Sequence, residues 1–315
     1  MAGKPGLRTV VQVAFAAAVL WFGGRTLAAQ WDAVRDLRAT LHTDWRGVLL
    51  ASLAVLGSYA VLIATWQATV RAWGARLAAA DGARIWFISN LGRYLPGKVW
   101  QIGAMGLMAR QAGVAPEAAV GSAVVVSLVH LLVGFAVVAA TGGELLRVYV
   151  PPGSPLPMVI AALSAGVLAT PWILPPLARL ASRLTGRTIE PPALPPRAIW
   201  IAAAGSATAW TLQGLGFHLL AGALLGHATG DAAASVAVFT LSYQLGFVAL
   251  FAPGGIGVRE VSMHALLVGA ALATPAEATL LIVGSRLWLT VLEILPGALL
   301  LLAGASVPRP DPPSS

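Results

Sequence analysis

Apolar residues dominate the chain in blocks about 20 residues long, separated by short clusters of Arg, Pro and Gly. About 20 residues at 1.5 Å each cross a bilayer core of ~30 Å, so each block reads as a membrane-spanning helix. In order, the pattern predicts spans at about 9–29, 47–70, 116–141, 158–178, 198–225 and 232–251, and a last one at 278–302. The segment 256–273 either crosses as well, giving about eight spans, or re-enters from one side. The first block follows Lys4 and Arg8 and is too long for a cleaved leader, so an uncleaved span with its N-terminus inside is expected. Residues 31–45 mix Asp and Arg between Trp31 and Trp45, as a short amphipathic surface helix would.

Two stretches interrupt the blocks. In 85–114, Arg93, Lys98 and Arg110 appear around Pro96-Gly97, predicting either two short helices that dip into the membrane or a surface hairpin. At Pro253-Gly254-Gly255-Ile256-Gly257-Val258-Arg259-Glu260 an apolar run stops at Pro-Gly and basic charge marks the next helix start. The second proline of each region follows at a similar distance, Pro116 and Pro275, each with a Glu close behind, Glu117 and Glu277. This recurrence suggests repeat halves at about 83–178 and 231–303 within one integral membrane domain, 1–315, ending in a polar tail at 308–315. Broken helices in corresponding halves point to a transporter's binding region.

Composition fixes the class. The chain is 58% hydrophobic and only 10% charged. The net charge of +8 comes mainly from arginine in the expected cytoplasmic loops at 71–84 and 179–197, where anionic lipid and membrane orientation account for it. Nucleic acid is therefore not an expected partner. The absence of cysteine removes disulfides and thiolate metal sites. His42, His130, His218, His227 and His264 lack metal-ligand spacing, and His130 and His218 read as packed, hydrogen-bonded side chains within spans. No phosphate-binding P-loop, zinc-protease or nucleophile-elbow motif occurs, so no cofactor and no catalytic residue are expected.

The remaining chemistry is anion binding. Glycines at 254, 255 and 257 leave backbone amides uncovered, and a helix starting near Ile256 would aim its first N–H groups at the same loop. Arg259 opposes the helix dipole there, which an anionic partner would relieve, although Arg259 and Glu260 could also form a simple pair. Arg93, Pro96, Gly97 and Lys98 are the corresponding candidates at the first break, beside Pro253, Gly254, Gly255 and Gly257 at the second. Either break also fits a plain helix terminator. Arg286 and Glu293, seven residues apart on one face of the last span, either close an interhelical bridge or line a polar path.

The combination of Asn90-x-x-Arg93-Tyr94-Leu95-Pro96-Gly97-Lys98-Val99-Trp100 with Ala252 to Glu260 resembles the lysylphosphatidylglycerol synthase transmembrane-region family, also called flippase-like. The resemblance covers essentially the whole chain. It implies an all-α polytopic membrane module that translocates lipids between leaflets, or serves lipid-linked glycan pathways beside a glycosyltransferase. Larger members append a soluble aminoacyltransferase domain; the sequence to Ser315 contains none, so lysyl transfer is not expected. The reading is thus a plasma-membrane protein handling an anionic phospholipid or a polyprenyl-phosphate-linked glycan. Its alternatives are a non-transporting membrane partner of a glycosyltransferase and a membrane glycosyltransferase. The longest polar loop offers only Glu190 as an acid, which argues against the enzyme.

Overall fold

The computed structural model describes residues 43–94, 99–185, 195–227, 229–249 and 257–304. These fold into eleven α-helices: α1 (Trp45–Ala72), α2 (Ala79–Asn90), α3 (Val99–Gln111), α4 (Pro116–Thr141), α5 (Gly143–Tyr149), α6 (Leu156–Leu168), α7 (Thr170–Thr185), α8 (Pro196–Leu225), α9 (Ala232–Val248), α10 (Val258–Gly269) and α11 (Pro275–Gly304). A 3₁₀ turn, Leu91–Tyr94, follows α2. Helices α1, α4 and α11 are long and apolar enough to cross a membrane, and α9 is a shorter apolar helix. The molecule is an all-α polytopic membrane protein.

Helix α8 is the spine, packing along α1 and against α4, α9 and α11. Small residues let it approach: a Cβ on Gly214 would stand 2.5 Å from the Val236 backbone, and one on Gly216 would stand 3.1 Å from the Ala51 carbonyl. In a bilayer such close backbone packing replaces the hydrophobic drive that water gives soluble bundles. The main core joins Val55, Phe217, Phe239, Met263, Leu267, Leu281 and Leu289 across five helices.

Two ends of the bundle can be told apart by contacts. At one, Asp44 N–H donates to the Ala223 carbonyl at 3.0 Å, and His227 pairs with Glu277 at 3.0 Å. At the other, the Gln67 amide donates to the Ala78 and Ala79 carbonyls at 3.2 and 3.1 Å, and Trp66 Nε1 donates to the Ala119 carbonyl at 3.3 Å. Helix α4 therefore begins at the end where α1 finishes, whereas α11 begins at the end where α1 starts. The hairpins α3–α4 and α10–α11 enter from opposite ends.

Their turns match in detail. Gly113 has φ +75° and Ala271 φ +53°. In each, the following N–H reaches back five residues, Val114 to Ala109 at 2.9 Å and Leu272 to Leu267 at 2.9 Å. That is the left-handed helix stop of a Schellman cap, with proline three or four residues later opening the next helix. The short helices differ from the predicted spans in length. At 12, 13 and 12 residues, α2, α3 and α10 extend about 18–20 Å, well short of a ~30 Å core.

Other expectations are corrected. The single span predicted at 158–178 is two helices interrupted at Ala169, because Pro171 supplies no N–H to the ladder. The predicted polar loop beginning at Arg179 starts later, since α7 runs to Thr185, and the interval between the spans predicted at 116–141 and 158–178 contains α5. The first predicted span and the amphipathic segment before Asp44 lie outside the described residues, as does the tail.

Candidate functional site

Helix α10 is preceded by its capping residue Gly257, whose φ of +86° and ψ of −55° suit only glycine. Glu260, in the first turn, accepts a hydrogen bond from the Gly257 N–H at 2.6 Å. Glycine has no side chain to return the bond, so this is one half of a capping box. The other Glu260 oxygen meets Arg286 Nη1 of α11 at 3.3 Å. The expected pairing of Arg259 with Glu260 is thus replaced by a bridge between α10 and α11. Neighbours in a helix point about 100° apart, so one faced α11 and the other did not.

Arg259 turns towards α9 instead. Its guanidinium carbon lies 4.5 Å from the Tyr243 ring centroid and 5.5 Å from that of Phe239, a cation–π seat. The residue is only 7% exposed. Its Nη2 is buried with no hydrogen-bond partner among the described residues. Arg286, Glu260 and Glu293 all lie within electrostatic reach of it.

Glu293 receives two tyrosines. The Tyr59 and Tyr243 hydroxyls donate to the same oxygen at 3.3 and 3.4 Å, both long for this bond type. Tyr59 also packs on Trp86 of α2, ring centroids 5.4 Å apart, while Leu91 sits under Gly297 of α11. The first break is therefore next to the Glu293 stretch of α11. Asn90 and Gln101 tie its two arms at 2.5 Å.

The depth of the cluster follows from helix rise. Counted from the end holding His227 and Glu277, Tyr243, Arg286, Tyr59 and Glu293 lie about 17–27 Å along their helices. Ionisable groups at that depth in a membrane bundle mark functional sites or structural pairs. Behind the cluster, Trp210 meets Tyr243 edge-on at 5.8 Å and stacks on His130 at 4.3 Å. His218 Nδ1 lies 3.0 Å from Ser235 Oγ, as a packed histidine should. Among the described residues no three His, Asp or Glu side chains are grouped to hold a metal ion.

The fold thus gathers Gly257, Arg259, Glu260, Arg286 and Glu293. Arg93 lies in the 3₁₀ turn, but its side chain is outside the description. Pro96, Gly97, Lys98, Pro253, Gly254 and Gly255 lie outside the described residues altogether. Tyr59, Tyr243 and Phe239 were missed by sequence reasoning. Only 4 tyrosines occur in the chain, and two fall within predicted spans, where a buried hydroxyl needs a partner. That was the available signal.

No curated protein matches the chain. The family described as Lysylphosphatidylglycerol synthase TM region matches residues 9–297. With nearly the whole length matched on an all-helical membrane fold, the chain belongs to the lysylphosphatidylglycerol synthase transmembrane-region family.

Proposed function

We propose that the protein translocates a lipid with an anionic headgroup, an anionic phospholipid or a polyprenyl-phosphate-linked glycan, across the plasma membrane. The single observation that carries this reading is Arg259: a buried cation with an orphaned donor, at the first turn of a helix that starts deep in the bundle. An unpaired buried guanidinium is costly, and a phosphate oxygen would relieve it with a charge-assisted hydrogen bond. The first N–H groups of α10 would add donors to the same oxygens.

Two further features support the reading. Short helices that enter from opposite ends, α2 and α10, both pack on α11 beside the cluster, an arrangement by which a site can be offered to each face in turn. Arg286 and Glu293 continue the polar surface along α11 from Glu260 towards the first break, where Lys98 would be the second cation. Arg71, Arg76, Arg110 and Arg197 collect at one end of the bundle, which favours that end as cytoplasmic, and the predicted first span would return the N-terminus to the same side.

Short-chain phosphatidylglycerol should raise the melting temperature of the purified protein by mass action. Arg259→Ala should abolish that rise while melting no lower than wild type without lipid. An equal rise in both proteins would place the anion elsewhere.

A further inference from the structure

Helix α7 stands apart from the bundle. Every substantial contact it makes among the described residues is with α6. Leu168, the last residue of α6, packs against a cluster formed by Val126 and Val129 of α4 and Ile199 of the first turn of α8, so α7 begins towards the arginine-rich end. There it exposes Trp172, Ile173 and Leu180, at 57, 42 and 51%. Arg179 and Arg183 are exposed beside them.

The arrangement is periodic. Ile173, Leu177, Leu180 and Leu184 recur at the spacing of one helical stripe, while Arg179 and Arg183 are one turn apart on an adjacent one. No acidic residue occurs between Thr170 and Thr185. Water is a poor environment for the exposed side chains of Trp172, Ile173 and Leu180. A purely basic flank with tryptophan at the boundary matches a negatively charged headgroup layer over acyl chains.

We infer that α7 lies in the headgroup layer and reads its anionic lipid through Arg179 and Arg183, a lipid contact separate from the Arg259 cluster and independent of the function proposed above. The arginines hold phosphates at the surface, and the apolar stripe dips beneath them.

The chain has no cysteine, so Ile173→Cys can carry a single environment-sensitive fluorophore in the full-length protein, reconstituted in vesicles of phosphatidylcholine with or without phosphatidylglycerol. The label should move to an apolar environment when phosphatidylglycerol is present. Arg179→Gln with Arg183→Gln should lower the docked-to-undocked ratio roughly 30-fold, taking each arginine's usual gain at an anionic surface. Molar salt should act the same way. Arg179→Lys with Arg183→Lys should keep docking, which separates charge reading from loss of fold. The inference is overturned if the label is equally buried in neutral vesicles, since charge then plays no part. It is also overturned if the label stays in water in both, since the stripe then awaits a protein rather than a bilayer.

Discussion

Arg259 and Arg286 are both nearly buried, at 7 and 8% exposure, yet they are held differently. Arg286 has Glu260 at 3.3 Å, whereas Arg259 leans on aromatic rings and keeps a donor unmatched. Removing one member of the Glu260–Arg286 bridge leaves the other charge uncompensated. A double-mutant cycle with Glu260→Gln and Arg286→Met should therefore show a coupling of about 1–3 kcal/mol, kept below the fully buried range because Glu260 is partly exposed. Chemical unfolding in detergent would measure it, and additive single effects would contradict the bridge. Ala271 is the non-glycine residue with positive φ among the described residues, at +53°. Ala271→Gly should stabilise the protein by about 1 kcal/mol, since the left-handed well penalises a Cβ by roughly that much. Arg286 and Glu293 were legible in the sequence as intramembrane ionisable residues, and Arg259 and Glu260 as charges at a helix start. Their partners were not, because pairing depends on which way α10 rotates, and adjacent residues of equal hydropathy do not reveal that.

The elements themselves were well marked where apolar length decided them. The spans predicted at 47–70, 116–141 and 278–302 correspond to α1, α4 and α11 within a few residues. Failures came where proline sat inside an apolar block, as at Pro171, because hydropathy averages over a break that removes a backbone bond. The glycines of α8 were visible only as composition. In the fold, Gly214 is a point of close backbone approach to α9, whereas Gly222 faces open space. Gly214→Ala should cost about 1–3 kcal/mol through overpacking against backbone that cannot yield, and Gly222→Ala should be neutral or slightly stabilising. Thermal unfolding of the two variants side by side tests whether α8 is the spine.

At the scale of the whole molecule, the paired prolines at Pro116 and Pro275 acquire a direction. The turns at 112–115 and 270–274 share one backbone geometry but lie at opposite ends. Spacing alone could not show that, because a sequence repeat carries no sign for up or down. The proposed orientation rests on charge. Arg71, Arg76, Arg110 and Arg197 mark one end, and the other has Arg46 and Arg147 among Asp44, Asp231 and Glu277. In cells, a membrane-impermeant thiol reagent should label His227→Cys from outside and Ala112→Cys only after permeabilisation. The reverse pattern would invert the proposed topology.

In the proposed function an anionic headgroup crosses the bilayer by way of Arg259. The most direct measurement is leaflet exchange of labelled anionic and polyprenyl-phosphate lipids in liposomes containing the purified protein, compared with Arg259→Ala at equal reconstituted amounts. Exchange above that of protein-free liposomes is expected, with a loss of at least about tenfold in the variant, the size of one charge-assisted hydrogen bond. Exchange that is unchanged by Arg259→Ala, or absent for every such lipid, would contradict it, and absence would favour a membrane partner of a glycosyltransferase instead.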